Sequence, residues 1–530
     1  MTLADTLAAR DAPHAPSRAE TALGLLGLVL LWELAARSLT GAYLLAGPSD
    51  VIAYLWANSG LMGRALATTG LNALAGFVLG NLAGILLAAL VLLVPRAERF
   101  VVALALLVFC LPLVATGPIL RVVFGPGPGP QITLAALAVY YTTFIPLVVG
   151  LRAAPAVWFD LVASYGRGRG AALLHVRAMA ALPYLFAGLQ IAAPAAFLGA
   201  MVGEFTGAER GMGVLTIQAM RALDIEATWA LATLAATASI AAYAGIGALA
   251  RWAADGPPPL LLAAPAPGPA RPVLARWAEG ALIAAAALAL WAALPHILGL
   301  APFFAKGPAD IWAFLVTDTS AAAHRATLGT ALWQTAVTAV PGYLAGLALG
   351  AALAIALVLA PALAALALPI AVALRSIPIV TTAPLIVLLL GRGAVGSLTL
   401  VAVMVFFPTF VACLHGLRQA PGQVLDVFDS FAAGRLMRLA HVQIPAMLPA
   451  LFAAARMAVP AAVLAVTVVE WLATGTGLGT LMALSASLSD YGMLWSCVVV
   501  VAVLSALGYA AVGAAERRVL ARYAPEQLRR

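Results

Sequence analysis

Two polar stretches interrupt an otherwise strongly apolar chain, and their residue types suit docking to another protein. The first reads LVASYGRGRGAALLHVRAMAALP at 161–183, and the second reads VFDSFAAGRLMRLAHVQIPAMLP at 427–449. Each predicts a short amphipathic helix, a turn and a second short helix, a shape that fits a groove on a partner. The alternative is a basic anchor for anionic lipid headgroups. The residues expected to take part are Asp160, Ser164, Tyr165, Gly166, Arg167, Arg169, His175, Asp426, Ser430, Phe431, Gly434, Arg435 and His441.

No pattern of residues in the sequence predicts catalysis, a bound metal or a bound cofactor. A phosphate-binding loop requires G-x-x-x-x-G-K-[ST], whereas the sole lysine, Lys306, lies in AKGPAD. The six histidines show no H-E-x-x-H spacing, and the three cysteines lie in apolar runs without a C-x-x-C pair. We therefore expect that this chain is not an enzyme and does not hydrolyse ATP itself.

Membrane-spanning helices are the elements that must position the two polar stretches. Hydrophobic residues make up 64% of the 530 residues and charged residues 9%, whereas a soluble protein has about 25% charged residues. Apolar runs such as 71–94 and 450–469 are long enough, as helices, to cross a bilayer. We predict an all-α polytopic membrane protein and interpret the net charge of +8 as a topology signal, with no nucleic-acid partner.

The chain consists of two similar units. GPSD at 47–50 matches GPAD at 307–310, which is an offset of 260 residues. NALAGFVLGNLAG at 72–84 is matched to QTAVTAVPGYLAG at 334–346, which is an offset of 262 residues. From Pro112 onward the offset is 266 and stays constant. We predict a first unit at 1–253, a proline-rich cytoplasmic linker at 254–272 and a second unit at 273–530. A cleaved signal peptide at the N-terminus is disfavoured, because the apolar run at 22–32 has a counterpart at 281–294.

Each unit is predicted to contain about six spans, and both units to have the same orientation. The spans are expected at 21–36, 68–94, 99–121, 131–151, 181–203, 229–250, 279–296, 331–358, 362–390, 397–416, 447–469 and 493–514. Arginines concentrate after spans two, four and six of the first unit and at the C-terminus, which predicts that these ends and both termini are cytoplasmic. An even number of spans per unit makes the units parallel.

The ordered set of motifs resembles the bacterial ABC-importer permeases. Their signature cytoplasmic loop begins Glu-Ala-Ala, has a glycine six residues after the Glu and ends in Leu-Pro. Asp160 and Asp426 stand here in place of the Glu, and Ala432 replaces the glycine of the second loop. The sequence is most similar to the permeases for sulfonates, taurine and nitrate in its Pro48-Ser49-Asp50-Val51, its Arg375-Ser376-Ile377-Pro378 and its two Glu-aromatic pairs before Gly-x-Gly, Glu204-Phe205 and Glu470-Trp471.

This resemblance implies a tandem, type I importer permease of the bacterial inner membrane that works with other proteins. Two copies of a separate ABC ATPase would bind the two loops and use ATP, and an external, periplasmic binding protein would deliver a small polar, anionic nutrient such as a sulfonate, taurine or nitrate. An ion-coupled secondary transporter built from parallel repeats is the alternative. Such carriers place carboxylates or histidines within their spans, where this sequence has almost none.

Polar residues of the third span are candidates for the wall of the transport pathway. This span contains two prolines six residues apart in each unit, and broken helices at membrane depth are tolerated where they are buried in protein or line a cavity. Kinks that serve packing alone are the alternative. The candidates are Thr116, Arg375, Ser376, Thr381 and Thr382.

Charged residues within the spans raise two further alternatives. Arg375 is expected near the bilayer midplane, either facing an anionic substrate or pairing with carbonyls that Pro378 frees. Glu204 and Glu470, at the outer ends of span five, are expected either to form part of an outer gate or to cap helix ends at headgroup level. Arg456, early in the same span of the second unit, is expected to reach the cytoplasmic interface.

Overall fold

The structure is a computed structural model, and it describes residues 18–39, 45–253, 273–360, 385–386, 389–391 and 393–523. Every regular element within these ranges is helical, which confirms the prediction of an all-α polytopic protein. The predicted linker at 254–272 lies outside the described residues. So do four of the pathway candidates, Arg375, Ser376, Thr381 and Thr382.

In the first unit, the short helix that follows the helix Arg18–Ser38 has a readily explained start. Pro48 occupies the first turn of that helix, and the Gly47 N–H donates to Asp50 Oδ2 at 3.0 Å. The helices of this unit are α1 (Arg18–Ser38), α2 (Pro48–Ala57), α3 (Ser59–Leu93), α4 (Glu98–Phe109), α5 (Leu113–Phe124), α6 (Gly129–Gly150), α7 (Ala156–Ser164), α8 (Arg169–Ala172), α9 (Ala178–Phe205), α10 (Met212–Ala222) and α11 (Ile225–Ala253).

The second unit repeats this order. Its first short helix begins in the same way, because the Gly307 N–H donates to Asp310 Oδ2 at 2.8 Å. The helices of this unit are α12 (Val273–Ile297), α13 (Pro308–Trp312), α14 (Ala321–Leu359), α15 (Ala394–Arg418), α16 (Gly422–Ser430), α17 (Arg435–Arg438), α18 (Ile444–Val469), α19 (Gly477–Ser487) and α20 (Tyr491–Tyr523).

Most of the expected spans are present as long apolar helices. Within the described ranges, nine helices are long and apolar enough to cross a membrane, and the bent pair of α4 and α5 would make a tenth. The two remaining expected spans are 21–36, which is helical as α1 but is not among these helices, and 362–390, which lies almost wholly outside the described residues.

The third span of the first unit departs from the expected single helix at 99–121. It is broken into α4 and α5, whose axes differ by 91°. Pro112 stands at the break with an extended backbone, and the missing proline N–H prevents the hydrogen bond that would continue α4. Pro118, in contrast, is accommodated inside α5. One proline therefore redirects the chain while its partner six residues later does not.

Close helix contacts correct the predicted register of the second span. A Cβ on Gly80 would lie 2.4 Å from Val139 Cγ2, and one on Gly346 would lie 2.7 Å from Val405 Cβ, so glycine brings α3 onto α6 and α14 onto α15. These equivalent glycines are 266 residues apart, as are Gly76 and Gly342. The expected offset of 262 is therefore wrong by about one helical turn. Small residues recur every fourth position here, so both registers match in sequence.

The two units share a core. The largest cluster of buried side chains combines Phe197 and Met201 of α9 with Ala462 and Val466 of α18. The redirected helix α5 contacts α18, α19 and α20 of the second unit, while α4 contacts α12. Helix α5 thus lies at the contact between the units.

Candidate functional site

The first polar stretch forms an exposed helical loop, residues 151–177, between α6 and α9. Helix α7 ends in a six-residue turn in which the Arg167 N–H donates to the Val162 carbonyl (3.2 Å) and the Gly166 N–H to the Ala163 carbonyl (2.9 Å). Gly166 has the left-handed φ of +65° that this turn requires. The Ser164 hydroxyl donates to the Leu161 carbonyl at 2.7 Å.

The second exposed loop, residues 419–443, has the same geometry with one substitution. The Ala433 N–H donates to the Phe428 carbonyl and the Ala432 N–H to the Asp429 carbonyl, both at 2.9 Å. Ala432 therefore takes the left-handed conformation, with φ of +52°, that glycine takes in the first loop. Ser430 repeats the hydrogen bond of its counterpart, since its hydroxyl donates to the Val427 carbonyl at 2.7 Å.

Both loops continue without a break into long membrane-spanning helices. The second short helix of each loop, α8 or α17, continues through the π-helical turn Leu173–Arg177 or Leu439–Gln443 into α9 or α18. Pro183 and Pro449 lie inside α9 and α18.

Most of the predicted loop residues are exposed to solvent on these two loops. Tyr165 is 76% exposed and Phe431 is 82% exposed, alongside apolar residues such as Trp158 and Leu436. His175 Nδ1 and His441 Nδ1 lie 3.2 and 3.1 Å from the carbonyl oxygens of Ala171 and Met437, respectively. The side chain of Arg169 is not described. The other predicted loop residues are exposed: Asp160, Ser164, Gly166, Arg167, Asp426, Ser430, Gly434 and Arg435.

Different side-chain contacts support the two loops: the contacts of the first loop involve Arg177 and those of the second involve Arg438. In the first loop, the Arg177 guanidinium lies 4.9 Å from the centre of the Phe159 ring and donates to the Leu151 carbonyl at 3.2 Å. In the second loop, Arg438 forms an ion pair with Asp429. The two loops are therefore similar in backbone geometry and different in their supporting contacts.

A buried carboxylate cluster lies at the opposite end of the helices. Glu204, 1% exposed, accepts hydrogen bonds from the Thr69 hydroxyl (2.8 Å) and the Gly213 N–H (2.7 Å). The Met212 N–H donates to Thr69 Oγ1 at 2.8 Å. A Cβ on Gly211 would lie 2.2 Å from Glu204 Cδ. This first carboxylate cluster therefore joins α3, α9 and the first turn of α10, whose N–H groups have no partners within that helix.

The second carboxylate cluster has the same connections. Glu470, 4% exposed, accepts hydrogen bonds from the Thr335 hydroxyl at 3.0 Å and the Gly479 N–H at 2.9 Å. The Leu478 N–H donates to Thr335 Oγ1 at 2.9 Å. A cap exposed to headgroups does not fit the burial of either carboxylate. Thr69 and Thr335 were not predicted; they are 266 residues apart, the same separation as that of Glu204 and Glu470.

The third-span candidate Thr116 is buried on α5. Its hydroxyl donates to the Leu113 carbonyl at 3.0 Å, within the same helix. The next residue, Gly117, touches the end of α9, because a Cβ there would lie 2.4 Å from Thr206 Cγ2. Thr116 thus lies close in space to the first carboxylate cluster. The other four third-span candidates are outside the described residues.

One half-buried ion pair between two long helices, α18 and α20, was not predicted. Arg456 Nη1 lies 3.1 Å from Glu516 Oε2, and their side chains are 18% and 14% exposed. The Arg456 guanidinium also lies 5.8 Å from the centre of the Tyr509 ring. That Arg456 reaches the cytoplasmic interface stays a prediction; its partner Glu516 directly precedes Arg517 and Arg518 near the C-terminal end of α20. In the first unit the equivalent positions are Gln190 and Ala250, so the ion pair occurs on one side only.

The described part of the chain contains no group of three or more histidine, cysteine, aspartate or glutamate residues that could hold a metal ion. The three cysteines, Cys110, Cys413 and Cys497, are buried and unpaired. The hydrogen bonds of the two carboxylate clusters and of the loop turns hold backbone elements in place at the two ends of the helices.

Comparison with known proteins identifies relatives of single-unit length. The chain is 28% identical over 222 residues to a probable ABC transporter permease protein of Haemophilus influenzae, a match covering 41% of this chain and 90% of the relative. It is 28% identical over 206 residues to the formylaminopyrimidine transport permease protein ThiX of Halalkalibacterium halodurans, covering 39% and 82%. It is 24% identical over 147 residues to SsuC of Bacillus subtilis, named for the transport of aliphatic sulfonates, covering 28% and 53%.

The family model of the binding-protein-dependent transport system inner membrane component matches twice, at residues 80–255 and 342–521. The two matches cover more than half of the chain, and each contains one exposed loop and one buried carboxylate. Proteins of this family are transport components of ABC systems, which in general work with an ATPase and a substrate-binding protein. The chain belongs to this family of inner membrane permease components and carries two of its units in one polypeptide.

Proposed function

We propose that this chain forms the whole translocation pathway of an ATP-driven importer for a small polar, anionic nutrient, such as a sulfonate, taurine or nitrate. The units extend over 1–253 and 273–530 and are joined by the linker at 254–272. The exposed loops and both chain termini face the cytoplasm, because arginines concentrate at that end. A periplasmic binding protein delivers the nutrient to the opposite, outer end.

The duplicated exposed loops are the observation that carries this proposal. Each presents large apolar side chains, including Tyr165 and Phe431, beyond the membrane-spanning helices, and such patches mark interaction sites. Each also continues directly into α9 or α18, which both contribute buried side chains to the shared core. A partner that moves both loops would therefore move the helices at the contact between the units. Two copies of a separate ATPase fit two loops of like geometry.

The two carboxylate clusters serve as the outer gate in this proposal. Each ties a short helix, α10 or α19, to two long helices through a single buried carboxylate. Breaking these bonds exposes unpaired N–H groups, which favours two discrete states over gradual opening. The pathway candidates are Thr116, Arg375, Ser376, Thr381 and Thr382, with Arg375 offering its charge to an anionic substrate.

The substrate class is inferred separately from the transport role. Relatives of this chain are named for formylaminopyrimidine and for aliphatic sulfonates, which are chemically different. The anionic class is supported by the arginine expected in the third span of the second unit. If Arg375→Ala left the uptake of every tested anion unchanged, this role of Arg375 would be wrong.

Reconstitution with its ATPase and binding protein tests the proposed function. Vesicles should accumulate labelled taurine, an alkanesulfonate or nitrate only with ATP and both partners present. Tyr165→Glu and Phe431→Glu should each reduce ATPase binding, because a charge enters an apolar contact. Trp252→Glu is the matched control, since Trp252 is 84% exposed on α11, outside both loops. Uphill uptake driven by an ion gradient without the ATPase would favour the secondary transporter instead.

A further inference from the structure

Arg121 is a half-buried arginine on the redirected helix α5, near the outer end of the protein. Helix α5 contacts α18, α19 and α20, so Arg121 lies on the element of the first unit that meets the second unit. The other outer arginines of the described helices, such as Arg64, Arg221 and Arg325, are exposed. Arg121 therefore differs from them in burial and in lying on a helix that contacts the second unit.

The Arg121 guanidinium packs against a backbone segment that only glycine leaves open. A Cβ on Gly207 would lie 3.1 Å from Arg121 Nη1, 3.3 Å from Cζ and 3.4 Å from Nε. Gly207 also has φ of +111°, a conformation that other residues rarely adopt. Gly207 directly follows Thr206 at the end of α9, close to the first carboxylate cluster. One side of the guanidinium is thus covered by backbone at the proposed outer gate.

This arginine has no counter-charge among the described residues. Arg152, Arg438 and Arg456 each form an ion pair there, whereas no carboxylate lies within 4 Å of the Arg121 guanidinium and none of its N–H groups makes a hydrogen bond. Half-burying such a group costs free energy unless a partner accepts its hydrogen bonds. The equivalent position of the second unit is Val387, so the charge is present once per molecule.

We propose that Arg121, held against Gly207, is an anion-binding residue at the outer mouth of the pathway. It would receive the sulfonate, carboxylate or similar oxyanion group of the substrate before that group passes between the units. Guanidinium N–H groups form paired hydrogen bonds with such oxyanions. This proposal rests on the proposed function for the location of the pathway. The phosphate of an outer-leaflet lipid has the same chemistry and is the competing occupant.

A charge-selective labelling experiment measures the site directly. Thr206→Cys provides a thiol next to Gly207, in a chain whose three buried cysteines are replaced by alanine. The rates of modification by anionic and cationic methanethiosulfonate reagents are then compared in the full-length chain. A unit charge about 7 Å away in water changes each rate by roughly threefold in opposite directions, so Arg121→Gln should lower the anionic-to-cationic ratio by roughly tenfold. Arg121→Lys should retain most of the ratio.

A control substitution and a competing anion test the proposal further. Arg64→Gln, which removes an exposed outer arginine on α3, should leave the ratio unchanged. Methanesulfonate should slow the anionic labelling in the chain with Arg121 and not in Arg121→Gln. An unchanged ratio in Arg121→Gln, or an equal fall in Arg64→Gln, would overturn the site.

Labelling in a phosphate-free detergent and in a phospholipid bilayer distinguishes a lipid phosphate from a small anion as the occupant of the site. The ratio should be the same in maltoside detergent, which lacks phosphate, as in phosphatidylcholine nanodiscs. A ratio that is high in detergent and lost in nanodiscs would assign Arg121 to a lipid and overturn the proposal. These measurements need neither ATPase nor binding protein, so loss of ATP-driven uptake would contradict the proposed function without affecting this result.

Discussion

The turns that end α7 and α16 allow a matched pair of substitutions. Gly166 and Ala432 occupy equivalent left-handed positions, with φ of +65° and +52°. A residue with a Cβ is about 1–2 kcal/mol less stable in this region, while glycine adopts it freely. No atom lies within 4 Å of a Cβ built on Gly166, so new contacts would not add to this cost. We expect Ala432→Gly to stabilise the second turn by about 1 kcal/mol and Gly166→Ala to destabilise the first by about as much, after the greater backbone entropy of glycine is allowed for.

Hydrogen exchange of single amides is the assay, since both turns are exposed and open locally. The reporters are the Arg167 and Ala433 N–H groups, which close the turns on Val162 and Phe428. A change of about 1 kcal/mol alters the opening equilibrium by roughly fivefold. Ala433 should therefore exchange about fivefold more slowly in Ala432→Gly, and Arg167 about fivefold faster in Gly166→Ala.

A glycine in the same loop provides the control. Gly422 begins α16, has no left-handed φ and has no atom within 4 Å of an added Cβ, so Gly422→Ala should not speed exchange in the turn. The reasoning would be refuted if Ala432→Gly accelerated exchange, or if Gly166→Ala left Arg167 unchanged. In either case, the left-handed conformation would not limit the stability of these turns.

Three further predictions concern buried contacts. Glu204→Gln should lower stability by about 2 kcal/mol, because an amide cannot accept both hydrogen bonds, and thermal unfolding in detergent should show it. Arg456→Glu and Glu516→Arg should each cost about 3 kcal/mol by leaving like charges together, whereas the double exchange should recover most of the loss in a double-mutant cycle. Gly80→Val should separate α3 from α6 and lower the melting temperature, whereas Gly63→Val, with no atom within 4 Å of its added Cβ, should not.

The sequence predicted the duplicated loops well because their backbone geometry depends on local residues. Short helices, a turn between them and equivalent positions 266 residues apart could be found by comparing the chain with itself. The register of the second span could not be predicted in this way. On α3 and α14 small residues recur every four positions, and only the facing helix, with Val139 or Val405, distinguishes one register from the next.

Contacts between distant spans were the other part that local patterns could not predict. The break at Pro112 was expected as a kink, but its 91° angle depends on the helices of the second unit that α5 meets. Arg456 and Glu516 are 60 residues apart in sequence on neighbouring helices, and neither position identifies its partner. A useful signal was present, since isolated charges in apolar spans require partners.

The one-sided ion pair between Arg456 and Glu516 has a consequence for how such a transporter can change. In a dimer of identical permeases, each substitution occurs in both subunits, so a new charge within the bilayer is introduced in duplicate. Here, a single replacement alters one half and leaves the other half neutral, with Gln190 and Ala250. Fusion into one polypeptide thus halves the number of buried ions that such a substitution introduces, and it allows the two halves to acquire different tasks.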